Sequence, residues 1–235
     1  TMPDLPESFV PGWHDEAEVR KMKYRTLPHY GQVSVISFGA SGLGGMFTAG
    51  QGTGLADAKA GAVGEKEDLW FAEDAETDKQ AAASIVQMCL KAGVNVIDTS
   101  HWYGQGRSER LLGHALKGVP RRAYYINSKI GRYEKDPMRM FDFTYEKTYQ
   151  AVLDTLKRLG LEYVDSMQVH DPEFAPSVEI IVTQTLPALQ RLKDEGKIKC
   201  VHSTGCPLPS HPLTTLSPLT TLSPLTTLSP LTTLS

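Results

Sequence analysis

The sequence lacks the features that mark several classes of protein. It has three cysteines in 235 residues, Cys89, Cys200 and Cys206; their spacing matches no metal site, and they cannot all pair. Free thiols are typical of a reducing compartment, so we expect a cytoplasmic protein. No apolar run approaches the roughly 20 residues that a membrane-spanning helix needs, and residues 1–12 carry acids and prolines in place of a signal peptide.

An excess of positive charge is also absent. The 24 basic and 27 acidic side chains give a formal net charge of -3, with no cluster of Lys and Arg. Proteins that bind nucleic acid usually present a basic surface, so we expect neither nucleic acid nor membrane as a partner. The content of 40 % hydrophobic and 22 % charged residues is that of an ordinary globular domain, and it carries no signal for an oligomeric state.

Both ends and one internal segment differ in composition from the rest. Residues 1–21 predict a loose polar arm, and residues 48–74 are rich in Gly, Ala and Asp and predict a flexible insertion. From Pro212 to the last residue, the hexapeptide Pro-Leu-Thr-Thr-Leu-Ser occurs four times without a change and without a charge. Regular prolines forbid a continuous helix, so residues 210–235 predict a low-complexity tail with no packed core. Our hypothesis is that the tail is translated repetitive DNA or a shifted reading frame, which transcript sequencing across residue 205 would test.

Between these segments, helical patterns alternate with short apolar strands. The predicted strands are 22–27, 32–38, 94–98, 124–129, 163–170 and 198–201, and the predicted helices begin at Thr77, Ser108, Thr144 and Ser177, the last with a kink at Pro187. This alternation predicts a parallel sheet with right-handed crossovers, either doubly wound or closed as a barrel. The glycine run at residues 39–45 resembles a dinucleotide-binding loop, but no helical pattern follows it directly, which favours a simple turn after a strand.

Polar residues follow three of the predicted strands. Asp98, Lys129 and His170 stand at strand ends, and Tyr103 lies in the loop after Asp98. Catalytic groups gather at the carboxyl ends of parallel strands, so the four side chains could converge. A phenol with an ordinary pKa of about 10 exchanges protons poorly near neutrality, and an adjacent ammonium such as that of Lys129 would lower that pKa.

The other two side chains could complete such a site. Asp98 could hold the lysine charged, and His170 could hydrogen-bond a substrate oxygen. Each residue also has a plainer interpretation: Asp98 as a turn cap, Tyr103 as a half-buried aromatic, Lys129 as a solvated charge and His170 as a structural hydrogen-bonding group. Their joint placement at successive strand ends is what favours a catalytic site.

The segments that carry these residues resemble the aldo-keto reductases. The resemblance rests on VIDTSHWYG at 96–104, SERLLG at 108–113, SKIGRY at 128–133 and VHD at 169–171. The stretch at 163–174 and the turns at 131–133 and 141–143 are most similar to the L-galactose dehydrogenase-like branch. The resemblance covers residues 22–209 and implies an α/β fold, a TIM barrel with an N-terminal hairpin at 22–35, of which this sequence supplies about five of eight strands.

The resemblance also implies roles for individual residues. Tyr103 would be the proton donor or acceptor, Lys129 its partner, Asp98 the counter-charge of the lysine and His170 the group that orients the substrate. Thr204 and Asp98 would contact the cofactor, NADP or NAD, and no metal is implied. His202 stands where the family has glycine.

The activity implied is hydride transfer between a nicotinamide cofactor and a sugar or small aldehyde. Strands six to eight, with their contacts to the adenosine phosphate, have no counterpart in the sequence, so we expect impaired activity, two exposed sheet edges and a tendency to aggregate. The alternatives are a non-catalytic nicotinamide-binding module and a truncated product without function.

Overall fold

The structure is a computed structural model that describes residues 4–45 and 73–203. The tail at 210–235, Thr204 and all but the last two residues of the insertion at 48–74 lie outside the described residues. None of the described helices is both long and apolar enough to span a membrane.

The N-terminal arm is packed against the domain, where the sequence predicted a loose segment. It contains a short helix, α1 (Glu16–Val19), which Asp15 caps by accepting hydrogen bonds from two backbone N–H groups. Val19 is buried, and the Arg122 side chain donates a hydrogen bond to the Phe9 carbonyl at 2.7 Å. The buried apolar side chain and these hydrogen bonds hold the arm against the domain, although most of its residues are polar.

A hairpin follows the arm, as predicted. Strands β1 (Tyr24–Leu27) and β2 (Gly31–Ser34) pair antiparallel. The buried Asn95 joins the hairpin to the main sheet, because it accepts from the Ser34 N–H at 2.7 Å and donates to the Gln32 carbonyl at 2.9 Å. The hairpin thereby lies near the amino-terminal ends of the barrel strands.

The predicted strand 32–38 is in fact two strands. Residues 32–34 belong to β2 of the hairpin, residues 35–37 form no strand, and Phe38 begins β3 (Phe38–Gly39), which belongs to the main sheet. Between them, the Ser34 hydroxyl donates to the Ile36 carbonyl at 2.6 Å and redirects the chain from one sheet to the other.

The main sheet has five strands, all parallel. They are β3, β4 (Val96–Asp98), β5 (Tyr125–Ile130), β6 (Val164–Val169) and β7 (Ile198–Ser203). Each strand pairs with its neighbours in chain order. A doubly wound sheet reverses its strand order at a switch point, whereas a barrel does not, so the described chain forms a partial TIM barrel.

Helices connect the strands and cover the sheet. They are α2 (Glu76–Lys91), α3 (Arg107–Ala115), α4 (Tyr145–Leu159), α5 (Val178–Ile180) and α6 (Leu186–Asp194). Fully buried side chains fill the space between helices and sheet; examples are Leu90, Leu112, Val152, Leu189, Ile97, Ile126 and Met167. Burial of each such side chain contributes about 1.5–3 kcal/mol to stability. The packed helices hold the sheet, and with it the strand ends, in one position.

Two of the four predicted helix starts were wrong. Helix α2 begins at Glu76, so Thr77 lies inside its first turn, and Ser108 lies inside the first turn of α3. The Ser108 hydroxyl donates instead to the Ala40 carbonyl at 2.8 Å, a tertiary bond that replaces the predicted cap.

The other two helix starts were correct. Thr144 and Ser177 stand at the N-cap positions of α4 and α5. The predicted kink at Pro187 takes the form of a π-helical turn, Ile181–Thr185, between α5 and α6. Proline has no N–H to continue the α-helical pattern, which accounts for the irregular turn before it.

A buried ion pair ties the second and third crossover helices to the sheet. Arg158 of α4 donates to Glu109 of α3 at 2.7 Å, and their side chains are 1 % and 0 % exposed. The Glu109 carboxylate also accepts from the hydroxyls of Ser128 at 2.6 Å and Thr155 at 3.1 Å. These bonds fix β5 from the helix side of the sheet.

Candidate active site

The four residues singled out in the sequence lie together at the carboxyl ends of the strands. The Lys129 Nζ atom is 3.2 Å from the Tyr103 hydroxyl oxygen and 2.8 and 2.7 Å from the two carboxylate oxygens of Asp98. The rings of Tyr103 and His170 meet edge to face with their centroids 6.5 Å apart. The structure therefore brings all four side chains into one cluster.

Lys129 is the centre of this cluster. Its side chain is only 7 % exposed, and its ammonium donates to Asp98, to Tyr103 and to the Thr99 carbonyl at 2.9 Å. A buried ammonium is costly unless each N–H has an acceptor, and here three groups with four oxygen atoms surround the three N–H bonds. The positive charge is consequently held in a single position beside the phenol.

His170 lies at the edge of the cluster. Its Nδ1 atom is 3.5 Å from the Ser100 hydroxyl, and its Nε2 atom is 3.7 Å from a carboxylate oxygen of Asp171. Burial lowers the pKa of His170 to about 4, although the Asp171 carboxylate opposes this change. The imidazole is therefore neutral near pH 7 and can donate one hydrogen bond.

Asn127 is a member of the cluster that the sequence did not identify. Its side-chain N–H₂ donates to Asp98 at 2.7 Å and to the Gln168 carbonyl oxygen at 3.0 Å, while its own oxygen accepts from Ser166 at 2.5 Å. Side chains two residues apart on a strand share a face, so its position relative to Lys129 is the signal that could have found it.

The Tyr103 loop is placed by a close contact between two glycines. A Cβ atom on Gly44 would lie 2.5 Å from the Tyr103 carbonyl carbon, and one on Gly104 would lie 2.3 Å from the Gly44 oxygen. Gly104 also has φ +71, a conformation that favours glycine. The glycine run is thus a short 3₁₀ turn, Ala40–Gly44, whose function in the fold is close packing against the Tyr103 loop.

An aromatic rim, formed by Trp102, Phe141 and Phe174, is joined through Arg132 to Asp171, the residue after His170. The Arg132 guanidinium stacks 4.1 Å from the centre of the Trp102 ring and donates to Asp171 at 2.8 Å. Phe174 is 60 % exposed and stacks on Phe141 at 4.8 Å. The sequence did not single out these residues, although Arg132 and Phe141 belong to the turns that carried the branch resemblance.

A cleft of about 240 Å³ adjoins Asp98. The sheet lines it with Asn127, Ser166, Gln168 and His202. The hairpin lines it as well, with Leu27, Tyr30 and Val33, so the cleft lies between the sheet and the hairpin. His202 is half-buried, with its Nε2 atom 3.3 Å from the Cys200 sulfur, and burial lowers its pKa. A side chain at this position, where the family resemblance implied glycine, occupies part of the wall of the cleft.

Comparison with known proteins agrees with the resemblance found in the sequence. The Aldo/keto reductase family matches this chain over residues 67–207. L-galactose dehydrogenase of Arabidopsis thaliana is 37 % identical over 191 residues, which cover 80 % of this chain and 50 % of that protein. NADH-specific methylglyoxal reductase of Escherichia coli K12 is 29 % identical over 140 residues, which cover 54 % of this chain and 41 % of that protein.

Solved structures show the same likeness. An aldo-keto reductase from Bacillus halodurans in its holo form matches with a TM-score of 0.55 at 27 % identity, over 77 % of this chain and 50 % of that one. The chain therefore spans about half the length of the relatives it matches.

Proposed function

This chain belongs to the aldo/keto reductase family, and from that premise we propose that it carries the catalytic groups of an oxidoreductase acting on a sugar or small aldehyde with NADP or NAD. Two of its relatives are named as a sugar dehydrogenase and as a ketoaldehyde reductase. The observation that carries the proposal is the Tyr103 hydroxyl held 3.2 Å from a buried lysine ammonium.

In the proposed mechanism, Tyr103 moves the proton. It gives a proton to the substrate oxygen during reduction and takes one from the substrate hydroxyl during oxidation. The Lys129 ammonium stabilises the negative charge that develops on the phenol oxygen, and its fixed position means that little reorganisation is needed. Asp98 balances the lysine charge, and neutral His170 donates a hydrogen bond that orients the substrate oxygen.

The described residues fit a nicotinamide cofactor. Gln168 accepts from Asn127 through its carbonyl oxygen, which leaves its N–H₂ group as a donor for a carboxamide at the cleft. Asp98 has a 36 % exposed side chain and is available as a second contact. Thr204, which the resemblance also assigns to the cofactor, lies outside the described residues. When bound, the nicotinamide ring would supply or accept the hydride.

The aromatic rim supports a hydroxylated substrate. The Phe174 ring, which is 60 % exposed, can pack against the C–H face of a sugar, as aromatic side chains do with apolar surfaces. The Arg132 guanidinium and the Asp171 carboxylate next to His170 offer a donor and an acceptor for hydroxyl groups. A simple aldehyde would use few of these contacts, so we expect sugars to be the better substrates.

The test is the substitution Tyr103→Phe in the full chain, assayed with L-galactose and with methylglyoxal. Turnover should fall by roughly 10²–10⁴-fold, the usual contribution of a general acid or base. Binding of NADH or NADPH, followed by nicotinamide fluorescence, should change little, because the substitution removes one oxygen atom. Tyr149→Phe is the matched control, since Tyr149 lies on the surface and bonds Glu195.

Three outcomes would contradict the proposal. If Tyr103→Phe keeps full turnover, the tyrosine does not move the proton. If the wild-type chain binds neither cofactor, it has no nicotinamide site. If it binds a cofactor without turning over either substrate, it is a non-catalytic nicotinamide-binding module.

A further inference from the structure

Asn127 is fully hydrogen-bonded in one orientation only. Both of its N–H groups are used, one on Asp98 and one on Gln168, and its oxygen accepts from Ser166. A flipped amide would place its oxygen against the Asp98 carboxylate and the Gln168 oxygen, which repel it. The side chain is therefore fixed, and with 8 % of the residue exposed it is shielded from water.

The network follows the sheet itself. Asp98 pairs in register with Asn127 across β4 and β5, and Asn127 pairs with Ser166 across β5 and β6. The three side chains thus form a line of hydrogen bonds across three neighbouring strands. The backbone register sets this line, so its geometry is as rigid as the sheet.

Asp98 depends on this line for its position. Its side chain is 36 % exposed, and its carboxylate receives hydrogen bonds from Lys129 and from Asn127. The Lys129 ammonium donates to the Tyr103 hydroxyl. Its position is tied to that of Asp98, because both carboxylate oxygens accept hydrogen bonds from it. Asn127 connects the Asp98 carboxylate to the rigid interior, and the Thr99 carbonyl does the same for the Lys129 ammonium.

We propose that Asn127 is a positioning residue that fixes Asp98, and through it Lys129, so that the ammonium stays beside the Tyr103 hydroxyl. Asn127 touches neither the substrate nor Tyr103 in this role. The role rests on the proposed function, because the position of the ammonium matters to catalysis only if Tyr103 moves a proton.

Two substitutions separate this role from simple packing. Asn127→Leu keeps a similar volume and removes the bond to Asp98. Asn127→Asp keeps the shape and replaces the amide N–H₂ group by a carboxyl oxygen, which carries one proton or none. Beside the Asp98 carboxylate, the introduced group retains its proton to a raised pH, because two carboxylates in contact share a proton. While protonated, its single O–H can donate to Asp98, and the second amide bond, to Gln168, is lost.

Ser128→Ala is the matched control. Ser128 is the next residue of the same strand, is fully buried and donates to Glu109 at 2.6 Å away from the cluster. The control loses one buried hydrogen bond of the same strand and leaves Asp98 untouched, whereas Asn127→Leu loses the bonds to Asp98, Gln168 and Ser166.

We expect Asn127→Leu to lower kcat on the order of 100-fold, the cost of a displacement of about 1 Å at a catalytic group. Asn127→Asp should turn over at acidic pH and lose turnover as the introduced carboxyl ionises, a pH dependence that wild type and Ser128→Ala lack. Independently of turnover, the ζ-carbon NMR signal of ¹³C-labelled Tyr103, assigned with Tyr103→Phe, should move in Asn127→Leu and stay in place in Ser128→Ala.

The possible results distinguish failure of this inference from failure of the proposed function. Unchanged kcat and an unmoved Tyr103 signal in Asn127→Leu would overturn the inference, and so would equal changes in Ser128→Ala. A wild-type chain without turnover would contradict the proposed function alone, because the Tyr103 signal still shows whether Asn127 positions the cluster.

Discussion

Replacement of Arg158 by methionine should be among the most destabilising single changes in this domain. The substitution keeps most of the side-chain volume and removes the guanidinium. The Glu109 carboxylate, 0 % exposed, then keeps the hydroxyls of Ser128 and Thr155 as donors but loses the cation 2.7 Å away. Breaking a buried pair by removing one partner leaves an uncompensated charge and costs about 3–5 kcal/mol.

That cost is large on the scale of domain stability. Unfolding free energies of single domains are about 5–15 kcal/mol, so a loss of about 3–5 kcal/mol removes at least a fifth of the stability. For an unfolding slope of about 2 kcal/mol/M in urea, a loss of about 4 kcal/mol lowers the midpoint by about 2 M. The decrease in melting temperature should be roughly 6–20 °C for a domain of this size.

The measurement is urea unfolding followed by far-UV circular dichroism at pH 7. Arg20→Met is the control, because Arg20 pairs at 2.6 Å with Glu16 one turn away on an exposed helix surface. That pair should contribute no more than about 0.5 kcal/mol. A loss below about 1 kcal/mol for Arg158→Met would refute the reasoning, since it would mean that Glu109 finds other compensation or loses its charge at little cost.

Two further predictions concern the site. Burial lowers the pKa of His170 from 6.5 to about 4, so between these two pH values the unfolded chain binds more protons than the folded chain. Protonation therefore favours unfolding. The resulting contribution to the free energy of unfolding, roughly 3 kcal/mol, is present in full above pH 6.5 and is lost as the pH falls toward 4. Urea midpoints at several pH values should therefore fall less steeply in His170→Gln than in wild type, and equal slopes would exclude this origin. Gly44→Ala places a Cβ atom 2.5 Å from the Tyr103 carbonyl carbon, which should cost about 1–3 kcal/mol and displace the tyrosine. Unchanged urea midpoint and turnover in that variant would show that the close approach is not required.

Sequence patterns predicted the sheet and its helices well, because strand and helix periodicities are local signals. They failed where tertiary bonds replaced local ones. Ser108 has the residue type and position of a helix cap, yet its hydroxyl bonds a distant carbonyl of the Ala40 turn. The strand predicted at 32–38 was divided because its two ends pair with different strands, β1 and β4, which a single apolar run does not reveal.

The candidate site was predictable in part for a related reason. Asp98, Lys129 and His170 stand at strand ends, and parallel strands necessarily bring their ends to one edge. Asn127 was missed because its importance depends on register: it pairs with Asp98 and Ser166 across neighbouring strands, and register cannot be read from composition or periodicity. The contact of Arg132 with Trp102 was missed because it joins two loops, whose conformations depend on packing.

The sequential strand order has a consequence for biosynthesis. Asp98, Lys129 and His170 come from strands that are adjacent both in the sheet and along the chain, so the contacts that assemble them are comparatively short in sequence. Contacts between near neighbours in sequence close at low entropic cost and form early. A nascent chain emerging from the ribosome could therefore gather these groups before the polypeptide beyond them is synthesised, and Tyr103, encoded between the first two strands, would join at the same stage.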